Sequence, residues 1–88
     1  MKSKLFKVVG KVQGVFFRKT SFEKALEIGI KGWIRNELDG SVCGLAQGSD
    51  IQLDLWKAWL DSGPKESEVE YVEYKEIEID QMDYFEIR

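Results

Sequence analysis

Lys31-Gly32-Trp33-Ile34-Arg35-Asn36-Glu37-Leu38-Asp39-Gly40-Ser41-Val42-Cys43-Gly44-Leu45-Ala46-Gln47 reads as a β-hairpin. Strand-like runs from Lys31 to Glu37 and from Ser41 to Gln47 flank Leu38-Asp39-Gly40, and an Asp-Gly pair tolerates the positive φ that tight hairpin turns need. A helix pattern lies on each side of this hairpin. Upstream, Thr20-Ser21-Phe22-Glu23 fits a capping box with Thr20 as N-cap and Glu23 reaching back. Phe22, Ala25, Leu26 and Gly29 follow at helical spacing, and Gly29 supplies a C-terminal stop. Downstream, Ser49-x-x-Gln52 forms a second capping box and opens a helix from Asp50 to Ser62. Its apolar stripe reads Ile51, Leu55, Trp56, Trp59 and Leu60, and Gly63-Pro64 ends it.

The outer segments read as strands. From Leu5 to Val12, Phe6, Val8 and Val12 share one face, while Lys7 and Lys11 share the other and face solvent. Val69 to Ile79 is a long strand with an acidic outer face, and Phe85-Glu86-Ile87 is a short final strand. The order is β-α-β-β-α-β with a small C-terminal strand added. Two helices that each need to bury one stripe, set between strands joined by a hairpin, imply an α+β ferredoxin-like sandwich: an antiparallel sheet with both helices on one face. The chain of 88 residues is read as one domain, 1–88.

Composition narrows the function classes. Apolar content of 43% and charge of 33% suit an ordinary globular protein. No apolar stretch is as long as a membrane span, and the N-terminal lysines do not suit a signal peptide. The single cysteine, Cys43, cannot form an internal disulfide. A cytoplasmic monomer without membrane association is the expectation. The net charge of −3 conceals an asymmetry: residues 1–36 carry nine basic and two acidic groups, residues 37–88 four basic and fourteen acidic. A basic and an acidic solvated face account for this, and so does a basic half that attracts a small anion. Nucleic acid is not an expected partner, because the chain is acidic overall and has no long basic stripe.

The segment Gln13-Gly14-Val15-Phe16-Phe17-Arg18 joins the first strand to the first helix. Glycine permits a sharp turn and close approach to a ligand, successive N–H groups in such a turn can form an anion-binding nest, and a helix N-terminus points its unpaired N–H groups to the same place. Arg18 adds a planar cation able to grip two phosphate oxygens. The same residues also fit a plain strand–helix connection with a surface arginine. It is not a P-loop, since the Gly-x-x-x-x-Gly-Lys-Ser/Thr pattern is absent. Near the end of its strand, Asn36 shares a face with Gly32 and Ile34, opposite Trp33, Arg35 and Glu37. Its amide could hold a water by donating and accepting together, or could tie down the hairpin turn.

Gly10-Lys11-Val12-Gln13-Gly14-Val15-Phe16-Phe17-Arg18 resembles the acylphosphatase signature. Gly29-Ile30-Lys31-Gly32-Trp33-Ile34-Arg35-Asn36, followed by Asp39-Gly40-Ser41-Val42, resembles that family's second signature, and Gly63-Pro64 and Phe85-Glu86-Ile87-Arg88 match as well. The resemblance covers nearly the whole chain. It implies the ferredoxin-like fold and hydrolysis of the carboxyl-phosphate anhydride of acyl phosphates to a carboxylate and inorganic phosphate. It further implies that Arg18 and the loop Gln13, Gly14, Val15, Phe16 and Phe17 bind the phosphoryl group and that Asn36 orients the attacking water. Two positions depart from the common pattern. Glu37 stands where many relatives have threonine, on the face away from Asn36, and Ser21 replaces another frequent threonine while keeping a hydroxyl.

The residue inventory suits such a reaction. Histidine is absent, and no metal or cofactor is expected. The leaving group is a carboxylate with a pKa of about 4, so it departs without a general acid. Phosphoryl transfer depends mainly on positioning and charge stabilisation, and the proton of the attacking water is expected to pass to the substrate's own phosphate oxygen.

Two other readings use the same element order. An acylphosphatase-like module begins the hydrogenase carbamoyl-transfer maturation proteins, but those commonly have proline where this chain has Lys19. RNA-recognition domains carry stacking aromatics on the third strand, where this chain has Ser41-Val42-Cys43-Gly44-Leu45-Ala46-Gln47. Trp33, Trp56 and Trp59 are expected to pack in the core or on the sheet, and Cys43 to be an inert packing residue. The seven acids from Glu66 to Asp80 form a solvated strand face that discourages edge pairing.

Overall fold

A computed structural model describes residues 1–88. The elements are β1 (Lys2–Lys11), α1 (Phe17–Ile28), β2 (Lys31–Asn36), β3 (Val42–Gly48), α2 (Asp50–Ser62), β4 (Glu68–Ile77) and β5 (Phe85–Ile87). The strands form one sheet in the order β4-β1-β3-β2-β5. β1 pairs antiparallel with β3 and β4, and β2 antiparallel with β3. The expected antiparallel arrangement holds among β1, β2, β3 and β4, and the added strand β5 runs parallel to β2. Strand direction explains it. β4 occupies one edge and runs opposite to β2, so the chain that leaves β4 must turn back, and it joins the far edge in the same sense as β2. Gln47 secures this return: its side chain donates to Asp80 O at 2.8 Å and accepts from Met82 N at 2.6 Å.

Both helices lie on one face of the sheet. Trp56, fully buried, meets the rings of Phe6 and Phe85 edge-on at 5.7 and 5.5 Å between centroids. Trp59 packs beside it, with its indole N–H donating 2.9 Å to the buried hydroxyl of Ser21 and so joining α2 to α1. Trp33 is on the opposite face, with the guanidinium groups of Arg35 and Arg88 each 4.9 Å from its ring centre. Cys43 shares that face, 2.6 Å from Glu37 Oε1, and burial together with this carboxylate raises its thiol pKa.

The α2 boundaries and its Ser49–Gln52 capping box occur as read, but the buried row differs. Leu53, Trp56 and Leu60 face the sheet, whereas Ile51 and Leu55 are exposed. The expected stripe joined residues from two sides of the helix. Ile51 and Leu55 are one turn apart on a row of their own, roughly opposite Leu53 at about 100° per residue. Leu26 of α1 is likewise exposed, and Phe17, Ser21 and Ala25 form the buried row of that helix.

The start of α1 is the correction that bears most on function. The helix begins at Phe17, not after Thr20, and Phe16 occupies the N-cap position with φ 60° and no side-chain cap. Thr20 Oγ1 donates back to Phe16 O at 2.8 Å instead of capping. Packing outweighs the capping-box signal, since Phe17 is buried and its ring lies 6.5 Å from that of Trp59. Anchoring Phe17 in the core fixes the first turn earlier than local propensity would.

Candidate active site

The first turn of α1 has three unusual properties. It has no side-chain cap and no acidic residue, although both ordinarily stabilise a helix N-terminus. It carries two cations instead, Arg18 and Lys19, which oppose the helix dipole. In addition, none of the backbone N–H groups from Gly14 to Lys19 donates to a protein acceptor; the first bond of the helix is Thr20 N to Phe16 O. Gly14 and Phe16 have φ of 74° and 60°, with Val15 between them on the ordinary side. Such alternation of hand turns successive N–H groups toward one place. Each property costs stability in the free protein, and a bound anion would offset all three.

Asn36 closes β2, with its backbone paired to Val42. Its side chain is exposed and makes no hydrogen bond within the protein, because other groups hold the hairpin turn. Asp39 Oδ1 accepts from the backbone and hydroxyl of Ser41 at 2.9 and 2.6 Å, and Lys7 Nζ lies 2.9 Å from Asp39 Oδ2. These contacts, the Ser41 hydroxyl first, hold the Asp39 carboxyl well below the usual carboxylate range. The alternative role of Asn36 as a tie for the turn is therefore filled by Asp39 and Gln13.

A cleft of about 300 Å³ joins these parts, lined by Val12, Gly14, Phe16, Phe17, Arg18, Lys19, Asn36 and Ile87. It lies between the N-terminus of α1 and the C-terminal ends of β2 and β5. It brings together Arg18, Asn36, Gly14, Phe16 and Phe17 of the expected site. Gln13 and Val15 are not on its walls. Val15 packs against the core, and Gln13 Nε2 donates to Glu37 O and Ser41 O, each at 2.8 Å. Gln13 thus fastens the loop to the hairpin on either side of its turn, one residue from Asn36. Glu37 points to the other face, where the Cys43 thiol and Arg35 Nε at 3.0 Å lower its pKa. No carboxylate lines the cleft, so both of its charged side chains, Arg18 and Lys19, are cations.

Val12, Lys19 and Ile87 are cleft residues that the sequence reading of the site did not include. Ile87 had one signal, the matching Phe85-Glu86-Ile87-Arg88 stretch, but only the parallel pairing of β5 with β2 carries it to Asn36. No His, Cys, Asp or Glu side chains group in threes as metal ligands would.

Inorganic phosphate is expected to stabilise the fold by occupying this cleft. Each 1 kcal/mol of such linkage raises the Tm of a domain this size by about 4–8 °C. A thermal melt at increasing phosphate, with chloride at matched ionic strength as control, checks this; equal shifts in the two salts would count against a phosphate site.

The chain is similar to known proteins over almost its whole length. The Acylphosphatase family model matches residues 4–87. An acylphosphatase of Nitrosococcus oceani is 42% identical over 81 residues, covering 92% of this chain and 91% of the relative. The crystal structure of acylphosphatase from Bacillus subtilis superposes with a TM-score of 0.96 at 29% identity, covering 100% of this chain and 99% of the other. The structure of an acylphosphatase from Coxiella burnetii gives a TM-score of 0.94 at 34% identity, covering 99% and 92% of the two chains. With the family model matched over residues 4–87 and relatives aligned along almost their full length, this chain belongs to the acylphosphatase family.

Proposed function

We propose that the protein hydrolyses acyl phosphates, with Arg18 and the N–H groups of the loop and first helical turn holding the phosphoryl group and Asn36 orienting the water. The observation that carries this reading is the meeting, around one cleft without a carboxylate, of Gly14, Phe16, Phe17, Arg18 and Lys19, whose backbone N–H groups are unpaired, with the Arg18 guanidinium and the unpartnered Asn36 amide. Water attacks phosphorus in line with the bond to the carboxyl oxygen. That bond breaks with its electron pair leaving on the carboxylate, and the water proton passes to a phosphoryl oxygen. Charge that builds on the phosphoryl oxygens meets donors already in place, so little reorganisation is needed. Gln13, which bonds the hairpin beside Asn36, keeps the two halves of the site in register. The setting that fits the single unpaired cysteine is a cytoplasmic monomer acting as one domain over residues 1–88, and no helix is long and apolar enough to cross a membrane.

The cleft has no carboxyl, thiol or imidazole group to protonate a poor leaving group, so it is expected to discriminate by leaving-group pKa. Phosphate release from acetyl phosphate is expected to be rapid and release from a phosphate monoester undetectable under the same conditions. Addition of EDTA is expected to leave the anhydride rate unchanged, because Arg18 and the amides supply the positive charge. Hydrolysis of the ester at a comparable rate, or loss of activity with EDTA, would contradict the mechanism.

A further inference from the structure

Four apolar side chains line the cleft, and solvent reaches two of them appreciably: Phe16 is 75% exposed and Ile87 44%, whereas Val12 and Phe17 are each 1% exposed. Phe16 is costly where it stands. It is the only non-glycine residue with positive φ, a conformation that disfavours a bulky side chain by about 1–2 kcal/mol. Its ring also has no aromatic partner and no place in the core cluster. Glycine or asparagine would fit this φ better, and the fold gains no packing from the phenyl group. Ile87 pairs with Ile34 across β2 and β5, while Phe85, on the same face of β5, is buried beneath the helices. That pairing puts Ile87 beside Asn36 at the end of the sheet, across the cleft from the start of α1.

We propose that Phe16 and Ile87 form an acyl-group subsite, which selects acyl phosphates whose acyl portion is aromatic or an extended alkyl chain. This rests on the acyl phosphate hydrolysis proposed above and adds to it what the acyl group touches. With the phosphoryl end held by Arg18 and the loop amides, the acyl group has to extend along the remaining walls of the cleft. The exposed part of those walls beyond the cations and Asn36 is apolar, and burying apolar substrate surface there is favourable roughly in proportion to its area. Lys19, beside Arg18 in the first turn, adds to the positive field on the phosphoryl end. A strained, solvent-exposed phenyl ring becomes useful once a substrate covers it.

The test compares kcat/KM for benzoyl phosphate and acetyl phosphate in the wild type, Phe16→Asn and Ile87→Thr. Asparagine tolerates the left-handed conformation and so preserves the loop, and threonine keeps the β-branched shape suited to β5. Intrinsic leaving-group differences cancel when each variant's benzoyl-to-acetyl ratio is divided by that of the wild type. That quotient is expected to fall about five- to tenfold in each variant, chiefly through KM for benzoyl phosphate, as loss of ground-state apolar contact requires. Both ratios remaining at the wild-type value, with both substrates still hydrolysed, would overturn the subsite and leave acyl phosphate hydrolysis standing. A folded wild type that cleaves neither compound would remove both readings. If Phe16→Asn does not fold, the ratio for Ile87→Thr decides.

Discussion

Arg18→Gln is expected to lower kcat/KM for acetyl phosphate by roughly 10²–10³, the scale for removing one preorganised charge-stabilising donor, while leaving the free protein as stable as before or slightly more so. The two effects have separate causes. In the free protein Arg18 forms no hydrogen bond or ion pair, and it stands in the first turn of an uncapped helix with no acidic residue nearby. A cation there opposes the dipole, and its removal should return a few tenths to about 1 kcal/mol. The glutamine amide remains a donor but lacks the positive charge and the two-pronged grip of guanidinium on phosphate. Stability without ligand and activity should therefore move in opposite directions, and the stabilisation by inorganic phosphate should largely vanish. Thermal melts with and without phosphate, beside initial rates on acetyl phosphate, check all three. Near-wild-type hydrolysis in the variant would sink the mechanism, and a large drop in Tm without ligand would mean that Arg18 supports the fold through contacts absent from the free structure.

Asn36→Ala is the second large effect. Its amide has no partner in the protein, and the turn beside it is held by Asp39, Lys7 and Gln13. An exposed side chain with no such role changes stability by about 0.5 kcal/mol or less. If the amide aligns the attacking water, its loss acts on the chemical step, since holding reactants in line is where positioning contributes. A fall in kcat of roughly 10²-fold or more, with KM for acetyl phosphate little changed, is the expected pattern. Raised KM with unchanged kcat would instead mean that Asn36 binds the ground-state phosphate, and a large fall in Tm with normal activity per folded molecule would make it structural.

The parts of the fold that were legible in the chain are those closed by neighbouring residues. The Ser49–Gln52 capping box forms within one helical turn, Gly29 ends α1 in the left-handed conformation, and Asp39-Gly40 turns the hairpin. Alternation along β2 likewise separates Asn36 from Arg35 and Glu37, which depends only on the two-residue period of a strand. Those signals suffice for the order of elements, and the order with its amphipathic stripes suffices for the sandwich. The two signatures also identify Arg18 and Asn36 as the residues around which the proposed site is built.

Other features depend on contacts between residues far apart in the chain, which no short window of sequence contains. Helix α1 starts at Phe17 because that ring is buried against Trp59 of the other helix, so Thr20 never becomes a cap. The buried rows of both helices follow from how each helix is rotated against the sheet, which left Leu26, Ile51 and Leu55 in solvent. Gln13 belongs to the loop by its place in the chain, and only the fold shows its side-chain amide bonded to Glu37 O and Ser41 O across the hairpin. Ile87 reaches the cleft only because β4 sends the chain back to the far edge, where β5 pairs parallel with β2. Sequence by itself determined the order of elements, the sandwich and the family. Tertiary packing decided where α1 begins, what ties the loop before it to the hairpin and which side chains line the cleft, because long-range burial outweighs the smaller local preferences that a sequence displays.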